Sequence, residues 1–203
     1  MSEEIKSNSK NREKTRVLCE CAIMLALSIA LSFFSITPGG FGGSITPASM
    51  LPVLLVGIRH GYKWGIGTAF IFSIFQLVTG LSYFSYIQGF SAYLVCLLFD
   101  FIIPFTLLGL SAFASIKNKR EDARLNVPKV IITSGVLMVM RFLCHFVSGV
   151  TIWRVYADEV GQSPFVYSLL YNVVYMLPEI AITLSVLGLF VGSGKIRELI
   201  TKK

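Results

Sequence analysis

Charge is scarce in this sequence. Only 14% of its 203 residues are Asp, Glu, Lys or Arg, against about 25% in an average globular domain. That is too little polar surface to clothe a soluble fold, and 54% of the residues are hydrophobic, with a mean hydropathy of +0.72. Histidine is nearly absent: His60 and His145 fall in different apolar runs and on opposite membrane sides, so they cannot share a metal. The four cysteines (Cys19, Cys21, Cys96, Cys144) all lie in or beside apolar runs. Cys19 and Cys21 point to different sides of a helix, so neither a disulfide framework nor a zinc site is indicated, and the small apolar role of buried cysteine fits. Catalytic signatures are missing as well. There is no Gly-x-Ser-x-Gly or His-Glu-x-x-His, and Ser148, three residues from His145, is an ordinary helical neighbour. No catalytic residue, metal or cofactor is therefore expected. The glycine-rich stretch 37–46 lacks the Gly-Lys-Ser/Thr of a phosphate loop. With no ATP-binding motif, any energy must come from a partner or a gradient.

What is present is a series of apolar runs, each near the roughly 20 residues that cross a bilayer as a helix. Six spans are expected, at about 17–36, 46–60, 62–80, 88–115, 127–150 and 168–192. The second opens with Pro47 and Pro52 and is expected to be tilted or broken. The fold class is thus an all-α integral membrane protein with six transmembrane helices in a multi-pass cell-membrane chain. Its parts are a polar tail 1–16, a membrane domain 17–192 and a polar tail 193–203. The polar N-terminus has no apolar core or small-residue cleavage site, so it does not read as a signal peptide.

Basic residues set the orientation. With six spans, 16 of the 18 Lys and Arg fall on the side that holds both termini, leaving Arg154 opposite and Arg141 within a span. The positive-inside rule makes that side the cytoplasm. The net charge of +7 is thereby an orientation signal at span ends, with no nucleic-acid partner implied.

Four ionisable residues lie well inside spans: Asp100, Arg141, His145 and Glu179. A mid-membrane Asp or Arg costs about 2.5–3.5 kcal/mol, so such groups pair or line a wet cavity. The simplest pairing is Asp100 with Arg141, tying the fourth span to the fifth. On the last span Ser168, Asn172, Tyr175 and Glu179 form a polar stripe at helical spacing, with Tyr167 and Tyr171 beside it. Arg141, His145, Trp153, Tyr167 and Asn172 all come from the outer half of the last two spans or the loop between them. Polar groups and aromatic faces converging near an outer mouth suit a small, planar, hydrogen-bonding ligand, neutral or cationic. On the first span Ala22, Ala26 and Ala30 repeat every four residues. This small-residue stripe is a packing face, either within the chain or for another subunit.

With those residues in place, the sequence resembles the thiamine-specific S components, the substrate-binding subunits of energy-coupling factor transporters. The resemblance covers nearly the whole chain. It rests on Gly42-Gly43-Ser44-Ile45 with Met50-Leu51-Pro52, and on Asp100-Phe101 with Gly109. Its most specific parts are Arg141-x-x-x-His145-x-x-Ser148-Gly149-x-x-x-Trp153 and Tyr167-Ser168-x-x-Tyr171-Asn172-x-x-Tyr175-x-x-Pro178-Glu179. It implies a high-affinity thiamine site near the outer surface, and transport with a transmembrane coupling subunit and two cytoplasmic ATPases. Carried over position by position, Trp153 and His145 flank the ligand rings, and Tyr167 and Asn172 bond the aminopyrimidine. Asp100 faces the thiazolium, Arg141 lies near the hydroxyethyl arm and the acid, and Phe41 stands where the first loop usually has tryptophan. The resemblance further implies that Ala22 and Ala26 dock on the coupling subunit. The chain departs from the pattern in having Asp100 for Glu, Phe101 for Tyr and Arg141 for Lys. Alternatives are an S component for another small heterocycle, such as a thiamine precursor, and a non-transporting membrane scaffold.

Overall fold

The computed structural model of the chain describes residues 2–38, 43–114 and 125–201. Helix α1 runs Ser2–Ser32, α2 Leu51–His60, α3 Tyr62–Thr79, α4 Phe90–Ala114, α5 Val127–Thr151, α6 Arg154–Glu159, α7 Pro164–Gly192 and α8 Gly194–Thr201. A 3-10 turn at Leu81–Tyr86 links α3 to α4. No β-strand forms among the described residues; one bridge pairs Ile36 with Ile45 and closes the loop between α1 and α2.

The helix ends follow local chemistry. Asn126 caps α5 by accepting the Lys129 backbone N–H, and prolines occupy the first turns of α2, α5 and α7, where their missing N–H costs nothing. Gly61, at a φ of 80°, makes the break between α2 and α3 that a side chain would resist. Helix α4 is not uniform. Leu97–Ile102 winds as a π-helix and Leu107–Ala114 as a 3-10 helix. Pro104 explains the wide turn: in a regular helix its ring would clash with the carbonyl of Asp100 four residues earlier.

Close backbone contact ties α2, α3 and α4 together. A Cβ on Gly65 would lie 2.7 Å from both the Gly57 Cα and the Gly109 carbonyl oxygen, and one on Gly109 would lie 2.5 Å from the Ile66 Cα. Met50, Leu54, Phe72, Phe105, Leu108 and Met138 form the central core. At one end of the bundle, Ile58, Ala114, Val130, Leu187 and Val191 pack together, and Ile200 of α8 covers them. At that same end Glu20 of α1 holds Arg59 at 3.0 Å and His60 at 2.9 Å. The helical termini therefore share the end rich in basic residues, opposite the cavity described below.

Several boundaries differ from the sequence expectation. Helix α1 begins at Ser2, inside the stretch 1–16 expected as a tail, because nothing in that mixed-charge segment breaks a helix. The second apolar segment becomes helical only at Leu51; Pro47–Met50 form turns. Among the described residues, four helices are long and apolar enough to cross a membrane: Lys10–Ser32, Phe90–Ala114, Val127–Thr151 and Pro164–Gly192. Helix α2, at ten residues, is roughly 15 Å long, half a bilayer core. Length and composition alone thus identify four of the expected six crossings among the described residues. The chain is an all-α, multi-pass membrane protein.

Candidate functional site

At the end of the bundle opposite the basic residues lies a cavity of about 670 Å³, within the usual range for small-molecule sites of about 300–1,000 Å³. Its walls come from α3, α4, α5 and α7, from the 3-10 turn, and from Gly43, Ser44 and Thr46 of the α1–α2 loop. Asp100, Arg141, His145, Trp153, Tyr167 and Asn172 all line it. Six residues drawn from two long helices, a loop and a third helix thus converge on one space. Phe41 lies outside the described residues.

Asp100 projects from the π-helical turn of α4. Its Oδ2 accepts hydrogen bonds from Ser148 Oγ at 2.6 Å and Trp153 Nε1 at 3.0 Å, and its Oδ1 lies 3.2 Å from His145 Nδ1. The carboxylate is thus held by side chains from α5 and from the residue just past its end. The expected Asp100–Arg141 pair does not form. Arg141 Nη1 instead donates to Glu179 Oε2 on α7 at 2.8 Å, with the two side chains only 6% and 1% exposed. The geometry of α4 supplies a reason. Its eight-residue 3-10 stretch rises about 2.0 Å per residue instead of 1.5 Å, lengthening the helix by roughly 4 Å, only partly offset by the wider π turn. Asp100 is thereby carried past Arg141 to the level of His145 and Ser148, about one turn nearer the cavity mouth.

Arg141 is anchored twice, since its guanidinium carbon also sits 4.8 Å from the centre of the Phe105 ring. Its Nε and the His145 Nε2 are buried and have no partner within the protein. Buried polar atoms normally find partners; these two sit on residues that line the cavity but are themselves closed off from its open space.

Glu179 also holds the loop. Its Oε1 accepts from both the backbone N–H and the hydroxyl of Thr46, and Thr46 is itself bonded to Ser49. Nearby, Gly43 lies so close to the Tyr175 ring that no side chain could fit there. The loop is therefore seated on α7 at two places.

The polar stripe on α7 is internally bonded. Tyr175 donates to Asn172 Oδ1 at 2.8 Å, Asn172 Nδ2 donates to the Ser168 carbonyl at 2.8 Å, and Ser168 Oγ donates to the Phe146 carbonyl of α5 at 3.0 Å. Asn172 thus lines the cavity with its amide hydrogens engaged, leaving one carbonyl lone pair open. Gly149 of α5 makes this packing possible, because a Cβ there would overlap Ser168 Oγ.

Aromatic rings complete the walls. Trp153 stacks on Tyr156 with centroids 6.2 Å apart and meets Tyr83 edge-on at 6.4 Å; Tyr167 stacks on Tyr171 at 6.1 Å. Residue-by-residue reading had not placed Thr46, Gln76, Tyr83, Tyr86 or Tyr171 in the site. The aromatic run at Tyr83, Phe84 and Tyr86 was a signal for two of these, since clustered tyrosines in a short outer loop suit a cavity rim. Ala22, Ala26 and Ala30 lie elsewhere. All three are exposed on α1, whose packed face is Cys21, Leu25, Ser28 and Ile29. Among the described residues, no other helix packs over the stripe.

A membrane-embedded helical bundle with a polar, aromatic-walled cavity at one end defines a membrane protein for a small organic ligand. The comparisons narrow the class. Residues 18–196 match the thiamine transporter protein (Thia_YuaJ) family. The chain is 31% identical over 189 residues to the thiamine transporter ThiT of Bacillus subtilis (strain 168), covering 88% of this chain and 92% of that one. Its fold is similar to the structure of ThiT from Listeria monocytogenes, with a TM-score of 0.67 at 24% identity over 91% of this chain and 98% of the other. The chain belongs to the thiamine transporter protein family.

Proposed function

We propose that the cavity binds thiamine, and that the chain is the substrate-binding subunit of an ATP-driven energy-coupling factor transporter. The observation that carries the reading is Asp100, a carboxylate held at the cavity wall by three side-chain partners and flanked by stacked aromatic rings. A thiazolium cation complements such a carboxylate, and an aminopyrimidine complements the tyrosine-rich wall and the Asn172 side chain. In this reading Trp153 and His145 contact the rings, and Tyr167 and Asn172 bond the aminopyrimidine, the latter through its free carbonyl lone pair. Arg141 reaches the hydroxyethyl arm, and Phe41 of the first loop is a further ligand contact. The chain crosses the membrane six times, with α2 and its preceding turns forming a short crossing, the cavity outside and the tails 1–16 and 193–203 in the cytoplasm.

The energy source lies in partners: a transmembrane coupling subunit and two ATPases. The exposed face of Ala22, Ala26 and Ala30 supports this docking, because small side chains on an outward helix surface let a second helix approach closely.

Equilibrium dialysis of the purified chain against labelled thiamine, riboflavin and biotin tests the ligand. Saturable retention of thiamine alone is expected; retention of another vitamin in its place sinks the assignment. In proteoliposomes, ATP-dependent accumulation of thiamine should require the coupling subunit and ATPases. Accumulation by the chain alone would contradict the division of labour.

A further inference from the structure

Three ionisable side chains of the cavity region are conventionally charged: Asp100, Arg141 and Glu179. Two are acidic and one is basic. Arg141 is bonded to Glu179, not to Asp100, although Arg141 and Asp100 line the same cavity. Asp100 is held by Ser148, Trp153 and His145, with the Cys96 thiol also beside it, and no arginine or lysine forms an ion pair with it among the described residues. With a neutral imidazole at His145 the cluster carries one uncompensated negative charge, located on Asp100. Glu179 does not line the cavity; it acts from behind.

We propose that Glu179 is the positioning residue that sets the charge selectivity of the site: by engaging Arg141 it leaves Asp100 free for one positive charge, so the cavity selects a monocationic heterocycle over its neutral counterpart. The inference rests on the thiamine reading above and extends it to a residue outside the ligand's reach. The physical argument is a competition for one guanidinium. Arg141 and His145 are four residues apart on α5, just over one turn or about 6 Å along the axis, and His145 touches Asp100. A guanidinium that lost Glu179 would be a buried, unpaired charge, and the other carboxylate of the cavity lies within the reach of a long side chain. Arg141 would then occupy Asp100 and exclude a ligand cation by like charge. A buried charge held out of the way by its own counter-ion differs from a mere structural tie, because its loss should discriminate between ligands of different charge.

The test is thiamine and its neutral half, hydroxymethylpyrimidine, titrated into the purified full-length chain. The wild type is expected to prefer thiamine. Glu179→Gln should weaken thiamine about 10- to 100-fold, the size of a lost charge-assisted contact, while the neutral pyrimidine changes by no more than about threefold, less than half a pKa unit in energy. The double variant Arg141→Gln/Glu179→Gln removes both charges, leaves Asp100 bare and should recover thiamine binding to within about tenfold of wild type. Equal losses for both ligands, no loss for either, or a double variant as weak as the single one would overturn the proposal. If Glu179→Gln does not fold, the double variant carries the test against Asp100→Asn. It should retain thiamine where Asp100→Asn does not, and failure of both alike overturns the proposal. A wild type that binds no thiamine overturns the site assignment and this inference together, whereas a binding wild type with any contrary variant result overturns this inference alone.

Discussion

Trp153 gives its indole N–H to Asp100 while Tyr83 and Tyr156 flank its ring, so one side chain combines two separable contributions. Trp153→Phe keeps an aromatic wall but removes a hydrogen bond to a charged acceptor, a contact of about 1.5–3 kcal/mol. Thiamine affinity should fall roughly 10- to 100-fold, and Trp153→Ala should lower it further by removing the stacking surface. Calorimetric titration of the two variants checks the order, and a Phe variant equal to wild type would dissociate the indole N–H from binding. Gly149 is the second informative residue. A methyl group there overlaps Ser168 Oγ and lies 3.6 Å from Asn172 Nδ2. Gly149→Ala should therefore push α5 from α7, costing about 1–3 kcal/mol as overpacking does and disturbing the Asn172 amide as well. The expected outcome is a lower thermal midpoint together with weaker ligand binding.

At the scale of elements, two features position the site. One is the glycine contact among α2, α3 and α4. Gly109→Ala places a methyl group against the Ile66 Cα and Gly65 carbonyl, backbone atoms that cannot rotate away. Destabilisation of about 1–3 kcal/mol or more is expected, read as a drop of several degrees in the midpoint of thermal unfolding, with residual folded protein still binding ligand. The other is the irregular winding of α4, which lifts Asp100 beyond Arg141. Sequence reasoning could see that Asp100, Arg141, His145 and Glu179 had to face inward, because each is costly in lipid. Which acid takes the arginine depends on the axial rise of α4, a quantity that apolar periodicity does not encode. Pro104 was the visible hint, since it disfavours a regular turn at Asp100. The short α2 was equally hard to place: Pro47 and Pro52 signalled a disturbance, and the structure resolves it as turns before a ten-residue helix. Asn172 shows another limit. Its polarity and position were legible, but the bonds from Tyr175 and to Ser168 that occupy its amide depend on neighbours three and four residues along α7 that could equally have faced a ligand.

For the whole molecule, polarity is arranged from end to end. Glu20 gathers Arg59 and His60 at the end shared by the termini, and the cavity with Asp100, His145 and the tyrosines occupies the other. This arrangement follows from the basic residues flanking the apolar runs, which is why the separation of the basic end from the cavity end was readable from sequence while individual contacts were not. The loop between α1 and α2 joins the two levels of description, since Thr46 bonds the same Glu179 that holds Arg141. Thr46→Val should leave the fold intact and speed ligand release, measured as a larger dissociation rate in stopped-flow experiments, because one of the loop's two seats on α7 loses its hydroxyl bond and keeps only the backbone N–H. The central claim, that this cavity is the thiamine site, is tested most directly by tryptophan fluorescence in a Trp64→Phe variant, which leaves Trp153 as the sole reporter. Thiamine should quench that emission and saturate at one equivalent; saturable thiamine binding with no change in Trp153 emission would place the ligand elsewhere and contradict the account.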